Sequence, residues 1–275
     1  MSDLYGSDAY SPVETARRIE AVGETKAHMA ALPLALLGML AGAFIGLGAM
    51  LFVLVKSDPT LGFAASALLG GLVFSLGLFM VVVAGAELFT GNNLIVMAWA
   101  DGRVTTAQVL RNWAIVCVAN FVGAAALALL VFASGHAGLN GGAVGHKVVQ
   151  IALAKQELPF VTALLRGVLC NVLVCMAVWM AMGGRSVLDK AVAVVLPVTA
   201  FVAAGFEHSI ANMYLMPLAM LLQHGGLAGD AAVTWGGMLG NLLPVMLGNV
   251  LGGAVLVAGV YHVIYKRQAT TSPDV

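Results

Sequence analysis

Residues 203–213 read AAGFEHSIANM, and they place a carboxylate, an imidazole, a hydroxyl and an amide inside a long apolar stretch. That stretch covers residues 191–222 and has no charged residue on either flank of the polar group. Polar side chains cost a few kcal/mol each in the hydrocarbon core of a bilayer. We therefore expect them to face a protein partner or a cavity, which makes this stretch the first candidate functional site.

The composition indicates the class of protein. Of the 275 residues, 61% are hydrophobic and 9% are charged, and the mean hydropathy is +0.98. These values are typical of an integral membrane protein built of helices and exclude an ordinary soluble domain. The formal net charge of zero provides no overall field that would attract nucleic acid.

Six apolar zones follow a polar N-terminal segment. Zones two and five are too long for one helical span of about 20 to 25 residues, and too short for two spans joined by a turn. Both contain polar residues, so we expect a broken helix in each, with two half-helices joined by irregular backbone near the middle of the membrane. The six zones are residues 32–55, 61–100, 113–133, 159–182, 191–222 and 235–265.

The two polar interruptions resemble each other, and so do the zones around them. Because three spans precede the second copy, that copy enters the membrane from the opposite side. We therefore predict an all-α integral membrane protein with six transmembrane helices, arranged as a 3+3 inverted repeat with two broken helices. The matching positions are Gly38 and Gly167, Leu40 and Leu169, Gly85 and Gly205, Glu87 and Glu207, Asn92 and Asn212, Asn112 and Asn241, Asn120 and Asn249, and Gly123 and Gly252.

The N-terminal segment is predicted to form a short helix at the membrane surface. Ser11 is a suitable N-cap, Pro12 suits the first turn, and Glu14 completes a capping box. Asp3 and Asp8 stand where a signal peptide would carry basic residues, so we do not expect a signal peptide. The helix is either a solvated leader or a docking and gating element.

The placement of lysine and arginine predicts the orientation in the membrane. Most of these residues, including Arg103 and Arg185, fall on the side that holds both termini, whereas Lys56, Lys147 and Lys155 fall on the other. The positive-inside rule then places both termini in the cytoplasm. The expected divisions are a cytoplasmic N-terminal helical segment at residues 1–28, a six-span transmembrane domain at 29–267, and a cytoplasmic tail at 268–275.

The interruptions themselves carry several candidate roles. Half-helices that begin near the middle of the membrane would direct the positive ends of their dipoles into the site, which favours anions. Thr90 and Ser209 are candidate caps for those helix ends. Glu87 and Glu207 are expected to accept hydrogen bonds from loop amides and so hold each break open, with direct contact to substrate as the alternative.

His208 is the strongest candidate for contact with a substrate, because it lies beside a carboxylate, a hydroxyl and a predicted helix break. A neutral imidazole can donate one hydrogen bond to a small oxyanion, and a protonated one adds charge. Lys155 either concentrates anions at a vestibule before span four or is a solvated loop lysine. Arg166 either extends towards the outer surface or lines that vestibule. Asn120, Asn171, Asn212 and Asn249 either line a pore or join helices.

At these positions the sequence resembles the formate/nitrite transporter family. The residues that carry the resemblance are GAELFTGN at 85–92 and GFEHSIANM at 205–213. The run GRSVLDK at 184–190, followed by Leu196 and Pro197, looks most like the formate-channel branch.

The resemblance implies an aquaporin-like protomer with one pore, assembled as a homopentamer in a bacterial-type cytoplasmic (inner) membrane. It implies that His208 is the central pore histidine and that Asn171 and Lys155 are the pore asparagine and the lysine before span four. Thr90 would lie in the first loop at the pore, and Asn92 and Asn212 would shape the two loops. The implied constriction residues are Phe74, Leu78, Leu88, Phe89, Val174 and Phe201.

These observations predict a channel or transporter for small monovalent weak-acid anions, with formate as the expected substrate and proton-linked passage past His208. Nitrite or hydrosulfide within the same family, or a neutral solute, are the alternatives. The expected partners are the anion, a proton and membrane lipid, with no nucleic acid. An enzyme is not expected, and neither is a cofactor or a metal, because no metal-binding motif occurs and the remaining histidines are scattered. Those scattered histidines include His136, His146, His224 and His262.

Overall fold

The computed structural model describes residues 8–227 and 231–271, and within these ranges the backbone forms helices and one isolated β-bridge between Ala9 and Gly184. The α-helices are α1 (Pro12–His28), α2 (Ala31–Lys56), α3 (Phe63–Ala84), α4 (Val96–Ala100), α5 (Thr106–Ala133), α6 (Ala143–Gln156), α7 (Phe160–Gly183), α8 (Val187–Ala203), α9 (Ser209–His224), α10 (Trp235–Val250) and α11 (Val260–Thr271). Short 3₁₀ segments lie at Gly91–Ile95, His136–Gly138 and Asn140–Gly142, and a π-helical segment, Leu251–Gly259, joins α10 to α11.

Six membrane crossings can be traced through these helices. Four of the five helices that are long and apolar enough to span a bilayer are α2, α3, α5 and α7, and the fifth is the continuous stretch Trp235–Tyr265. The sixth crossing consists of α8 and α9 together, because their 17 and 16 residues are each too few to cross alone. The predicted all-helical architecture of six spans is therefore confirmed.

Both predicted breaks are present, and both begin at a glycine in the left-handed region. α3 ends before Gly85, where φ is 82°, and α8 ends shortly before Gly205, where φ is 72°. A side chain at such a position would be strained, whereas glycine adopts it freely. The chain therefore turns out of each helix at the equivalent place in each repeat.

The two broken spans differ in their second halves: zone five has the two predicted half-helices, α8 and α9, whereas the prediction of two half-helices in zone two was wrong. α3 has 22 residues and is as long as a complete span, and the chain after the first break forms only the 3₁₀ segment at Gly91–Ile95 and the five residues of α4. Gly, Asn and Asn at positions 91–93 are poor helix formers. The Asn93 side chain also donates to the carbonyl oxygen of Phe89 (2.8 Å), which favours a tight local turn.

The halves of the molecule pack in the same way. α2 packs on α3 and α5 in the first half, and α7 packs on α8 and α10 in the second. Contacts between α3 and α8, and between α5 and α9, join the two halves. The inverted repeat therefore brings the two breaks together in the interior.

The glycine-rich connector before the fourth span contains a helix that the prediction missed. α6 has 14 residues, and Val144, Val148 and Ala152 are buried on one face of it. Their spacing of four residues is a helical signal that the sequence did contain. Lys155 therefore projects from the last turn of a helix and not from a loop.

α1 begins as predicted. The Ser11 hydroxyl accepts a hydrogen bond from the Glu14 amide (3.3 Å), and the Ser11 amide donates to the Glu14 carboxylate (2.7 Å). The Ser11 hydrogen bonds lower the pKa of Glu14, so this cap is charged at neutral pH. α1 packs against the 3₁₀ segment that follows the first break and against α4.

Replacing Gly205 with Ala tests the requirement for a left-handed turn at the second break. No atom lies within 4 Å of the added Cβ, so the cost arises from φ alone. We expect the variant to lose about 1–2 kcal/mol and the Tm of the detergent-solubilised protein to fall by a few degrees. Gly62→Ala is the matched control, because Gly62 also has open space and its φ is −60°. Equal Tm values for the two variants would contradict this explanation of the break.

Candidate functional site

A closed ring of hydrogen bonds surrounds Glu207 in the second break. The Lys155 ammonium lies 2.8 Å from one oxygen of the Glu207 carboxylate, and the Asn212 side-chain amide donates to the other (2.7 Å). Asn212 also donates to Asn241 (2.7 Å), and Asn241 donates back to the Lys155 carbonyl oxygen (2.9 Å). A buried carboxylate is tolerable when it is paired and hydrogen-bonded in this way.

The first break contains the same ring around Glu87. Lys26, from α1, lies 3.1 Å from the Glu87 carboxylate, and the Asn92 side-chain amide donates to the other oxygen (2.7 Å). Asn92 also donates to Asn112 (3.0 Å), and Asn112 donates to the Lys26 carbonyl oxygen (3.1 Å). The two rings therefore share these four contacts, and they differ in that Lys26 also donates to the Asn92 side-chain oxygen (3.0 Å), whereas the Asn212 side-chain oxygen has no partner among the described residues.

One further asparagine in each half satisfies the backbone of the break. Asn120 donates to the carbonyl oxygens of Gly38 (2.7 Å) and Glu87 (2.9 Å), and its own oxygen accepts from the Phe89 amide (2.9 Å). Asn120 and Asn249 therefore join helices, and neither lines the two cavities described below. The equivalent contacts of Asn249 are with the carbonyl oxygens of Gly167 (2.9 Å) and Glu207 (3.1 Å) and the amide of Ser209 (3.2 Å).

Two predictions about these loops were wrong. Glu87 and Glu207 accept from asparagine side chains and lysines, where loop amides had been expected. Thr90 makes no side-chain cap hydrogen bond, and Ser209 is the first residue of α9 and not its N-cap. The N-cap is His208, whose extended backbone lets its ring turn back over the helix end.

His208 is held at the centre of the protein by three contacts, and only 3% of its surface is exposed. Its Nδ1 accepts a hydrogen bond from the Ala211 amide (3.3 Å), and its ring stacks on Phe201 with 5.9 Å between the ring centroids. Its Nε2 lies 3.0 Å from the Thr90 hydroxyl oxygen. Because Nδ1 accepts, a neutral ring carries its hydrogen on Nε2 and donates it to Thr90.

Asn171 and Cys175, both on α7, fix the other side of Thr90. The Asn171 side-chain amide donates to the Thr90 carbonyl oxygen (3.2 Å) and to that of Asn249 (2.6 Å), and the Cys175 thiol lies 3.5 Å from the Thr90 carbonyl oxygen. The Asn171 side-chain oxygen is buried and has no hydrogen-bond partner among the described residues. Asn171 therefore joins α7 to the first break and to α10, which agrees with the prediction that the asparagines join helices.

Two cavities approach this centre from opposite ends. The first, which we call the Lys155 cavity, has a volume of about 240 Å³ and is lined by residues that include Lys155, Arg166, Glu207, His208, Phe74 and Phe201. The second, the Lys26 cavity, has a volume of about 200 Å³ and is lined by residues that include Lys26, Glu87, Asn92, Lys190, Leu78 and Leu88.

The His208–Thr90 hydrogen bond joins the walls of the two cavities. His208 lines the Lys155 cavity, and Leu88 and Gly91, on either side of Phe89 and Thr90, line the Lys26 cavity. A solute that moved from one cavity to the other would therefore pass this pair of side chains. Apolar side chains line both cavities beside this pair, Phe74 and Phe201 in the Lys155 cavity and Leu78 and Leu88 in the Lys26 cavity.

The constriction candidates divide between these cavities. Phe74 and Phe201 line the Lys155 cavity and pack edge to face with 5.9 Å between their centroids. Leu78 and Leu88 line the Lys26 cavity. Phe89 and Val174 are buried, but neither lines either cavity.

Sequence reasoning missed Lys26 and Lys190 as members of the site. A signal for Lys26 was present, because the same shift that relates Asn112 to Asn241 also relates Lys26 to Lys155. Lys190 had no such signal, because it lies in a basic run that resembles an ordinary cytoplasmic helix end.

A separate ionic cluster fastens α1 to the loop after α4. The Arg103 guanidinium binds Asp101 (2.8 Å) and Glu20 (3.3 Å), and these carboxylates lie near His262. Burial raises the pKa of Glu20, and the neighbouring Asp101 raises it further. Since Arg103 already binds both carboxylates, we describe this cluster as an anchor for α1.

Comparison with known proteins gives a consistent result. The model of the formate/nitrite transporter family matches residues 13–263. Formate channel FocA of Escherichia coli K12 is 39% identical over 274 residues, which cover 95% of this chain and 96% of FocA, and the uncharacterized transporter YrhG of Bacillus subtilis is 37% identical and covers 94% of each.

Two solved structures have the same fold. A pentameric formate channel with formate bound matches with a TM-score of 0.80 and 36% identity, and covers 86% of this chain and 98% of its own. An ion channel of the FNT family matches with a TM-score of 0.82 and 32% identity, and covers 91% and 98%.

The ion pair between Glu207 and Lys155 predicts that substitutions of these two residues have non-additive effects on stability. Glu207→Leu leaves Lys155 without its partner, and we expect it to cost about 3–5 kcal/mol. Adding Lys155→Met removes the unpaired charge, and the double variant should recover much of the lost Tm. Glu157→Gln, an exposed carboxylate beside α6, is the control.

The inverted repeat offers a second arm for this measurement. Glu87→Leu and Lys26→Met should show the same coupling, because Glu87, like Glu207, is bound by one lysine and one asparagine. Additive losses of Tm in both halves would show that neither pair is energetically coupled, contrary to this description.

Proposed function

This chain belongs to the formate/nitrite transporter family, and from that premise we propose that it carries formate across the membrane by way of its two cavities. It is a multi-pass membrane transporter and not an enzyme. The observation that best supports formate is the pair of cation-bearing cavities separated by one histidine–threonine pair, in a chain 36% identical to a structure described as having formate bound. Nitrite and hydrosulfide are other small weak-acid anions that the same site would admit.

A comparison of two free-energy costs favours passage of the substrate between the cavities as the neutral acid. Stripping a small anion of water costs several kcal/mol, with an idealised limit of about 20 kcal/mol. Protonating an acid with a pKa of about 4 at pH 7 costs roughly 4 kcal/mol. Neutralisation is therefore the cheaper route, and the apolar side chains of Phe74, Phe201, Leu78 and Leu88 at the inner ends of the cavities enforce it.

In this proposal His208 acts as a neutral hydrogen-bond donor. Protonating Nδ1 would remove the hydrogen bond from the Ala211 amide that caps α9, so the imidazolium form is disfavoured by the helix it caps. With Nε2–H directed at the Thr90 oxygen, the Thr90 hydroxyl hydrogen is left to donate to a passing acid. The proton that crosses with formate would then come from water in the cavity and not from His208.

The surrounding assembly follows from the same premise. We infer a homopentamer, since a similar structure is described as pentameric, with one passage in each protomer. The positive-inside rule places both termini in the cytoplasm of a bacterial-type inner membrane, so the Lys26 cavity opens to the cytoplasm. The transmembrane domain at residues 29–267 would be completed by Lys26, which the N-terminal segment at 1–28 contributes. The cytoplasmic tail at 268–275 stays a prediction, and its residues 272–275 lie outside those that the structure describes.

Substrate neutralisation predicts how formate flux depends on pH. At pH values above the pKa of formic acid, each decrease of one pH unit raises the neutral fraction about tenfold. We expect uptake into proteoliposomes to rise steeply between pH 8 and pH 6 in a stopped-flow swelling assay. A neutral-solute channel would conduct glycerol or urea without any dependence on pH, and flux of formate that is independent of pH would contradict the proposal.

Replacing His208 with Phe tests the central pair. The ring can still stack on Phe201, but both hydrogen bonds of His208 are lost, and we expect formate flux to fall by roughly tenfold. His224→Phe is the matched control, because His224 is exposed at the far end of the same helix. If His208→Phe retained the flux and the pH profile of the unsubstituted protein, His208 would have no role in passage.

A further inference from the structure

The lysines in the two cavities do not supply a net charge. Lys155 is paired with Glu207 at 2.8 Å, and Lys26 with Glu87 at 3.1 Å. The carboxylates are almost fully buried, so each pair is a fixed dipole within its ring of hydrogen bonds. An anion that approached either cavity would meet opposite charges that largely cancel.

Each cavity contains one further cation. Arg166 lines the Lys155 cavity, and Lys190 lines the Lys26 cavity. Neither side chain has an ion pair or a side-chain hydrogen bond with any residue that the structure describes. The carboxylates that line the two cavities, Glu207 and Glu87, are both bound to the paired lysines.

The positions of these two cations are unfavourable unless they face water. Arg166 lies about two turns into α7, and its carbonyl oxygen accepts the Glu207 amide (3.3 Å), which fixes it beside the break. An unpaired guanidinium within a membrane span is costly unless it reaches water, and Arg166 is exposed and lines the Lys155 cavity. Lys190 lies in the first turn of α8, where the helix dipole disfavours a cation.

The backbone provides less positive charge than the broken helices suggest. The amides of Phe89, Ser209 and Ala211 donate to the side chains of Asn120, Asn249 and His208. These donors are consumed within the loops and do not point at an anion. Among the charged side chains that line the cavities, the unpaired positive charge therefore comes from Arg166 in one cavity and from Lys190 in the other.

We propose that Arg166 and Lys190, and not the paired lysines, collect anions at the two mouths of the passage, and that the Arg166 guanidinium selects anions with two oxygens. A guanidinium binds a carboxylate or a nitrite through two parallel N–H donors, whereas hydrosulfide offers a single sulfur. Lys190 attracts every small anion as a point charge. This inference rests on the proposed function and assigns its selectivity to a residue outside the central pair.

Arg166→Gln and Lys190→Gln should each weaken the collection of anions. We expect the formate concentration at half-maximal flux to rise by roughly threefold or more at low ionic strength, and by less at high salt, because salt screens the lost charge. Lys147→Gln is the matched control, since Lys147 is a cation on α6 that lines neither cavity. Variants that matched this control would overturn the proposal.

Arg166→Lys separates charge from geometry. This variant keeps the positive charge but loses the two parallel N–H donors of the guanidinium. The ratio of formate flux to hydrosulfide flux should therefore fall, while hydrosulfide flux stays close to that of the unsubstituted protein. An unchanged ratio would remove Arg166 from selectivity. Because this variant retains the cation, it remains informative even if Arg166→Gln fails to assemble.

A charge-rescue experiment distinguishes electrostatics from a structural role. Arg166→Cys and Lys190→Cys, in proteoliposomes, are treated with a trimethylammonium or a sulfonate methanethiosulfonate reagent. The cationic adduct should lower the formate concentration at half-maximal flux, and the anionic adduct should raise it. If the two residues had only a structural role, both adducts would have the same effect. The unsubstituted protein treated in parallel controls for Cys117, which is partly buried, and for Cys170 and Cys175, which are buried.

The proposed function is tested separately in the same preparation. If the unsubstituted protein carried no formate, the proposed function would fail whatever the variants did. If the unsubstituted protein carried formate but the cationic and anionic adducts had the same effect on the variants, only the assignment to Arg166 and Lys190 would fail.

Discussion

Backbone that leaves a helix inside a membrane must find its hydrogen bonds in protein, because lipid offers none. Two spans of this protein break, at Gly85 and at Gly205, and the side chains of Asn120 and Asn249 bind carbonyl and amide groups that each break releases. The same constraint applies to the buried carboxylates of Glu87 and Glu207, which also need partners within the protein. Each is buried, and each is satisfied by one lysine and one asparagine, so the polar interior is a closed network and not an open binding surface.

A closed network has a consequence for transport. Because the glutamates are paired with lysines and asparagines, the groups left to contact a solute include the Thr90 hydroxyl, the side-chain oxygen of Asn171 and the two unpaired cations, Arg166 and Lys190. In the proposed passage the two unpaired cations lie in the cavities, and the pair between them, His208 and Thr90, carries no charge. That arrangement suits a small weak acid, which can be attracted as an anion and then cross as a neutral molecule.

Much of this fold could be predicted from the sequence, because membrane spans are long apolar runs and a polar interruption in such a run requires a special reason. The repeat was also readable, since Glu87 and Glu207 recur with the same asparagines around them. What the sequence did not reveal depends on partners distant in the chain. The partner of Glu87 is Lys26 on α1, which lies in a polar segment that looked separate, and the cap of α9 is His208 because its backbone is extended there. The short second half of the first break was missed because the apolar pattern of residues 94–100 does not distinguish a 3₁₀ segment and a single short helix from a longer half-helix.

The central claim is that formate crosses the layer at His208 and Thr90 together with a proton. Its most direct test is to follow the internal pH of proteoliposomes with a trapped dye while a formate gradient drives uptake at a clamped membrane potential. The account predicts one proton taken up with each formate and a rate that does not change when the potential is reversed. Uptake that follows the potential and leaves the internal pH unchanged would mean that formate crosses as the free anion, and it would contradict the account.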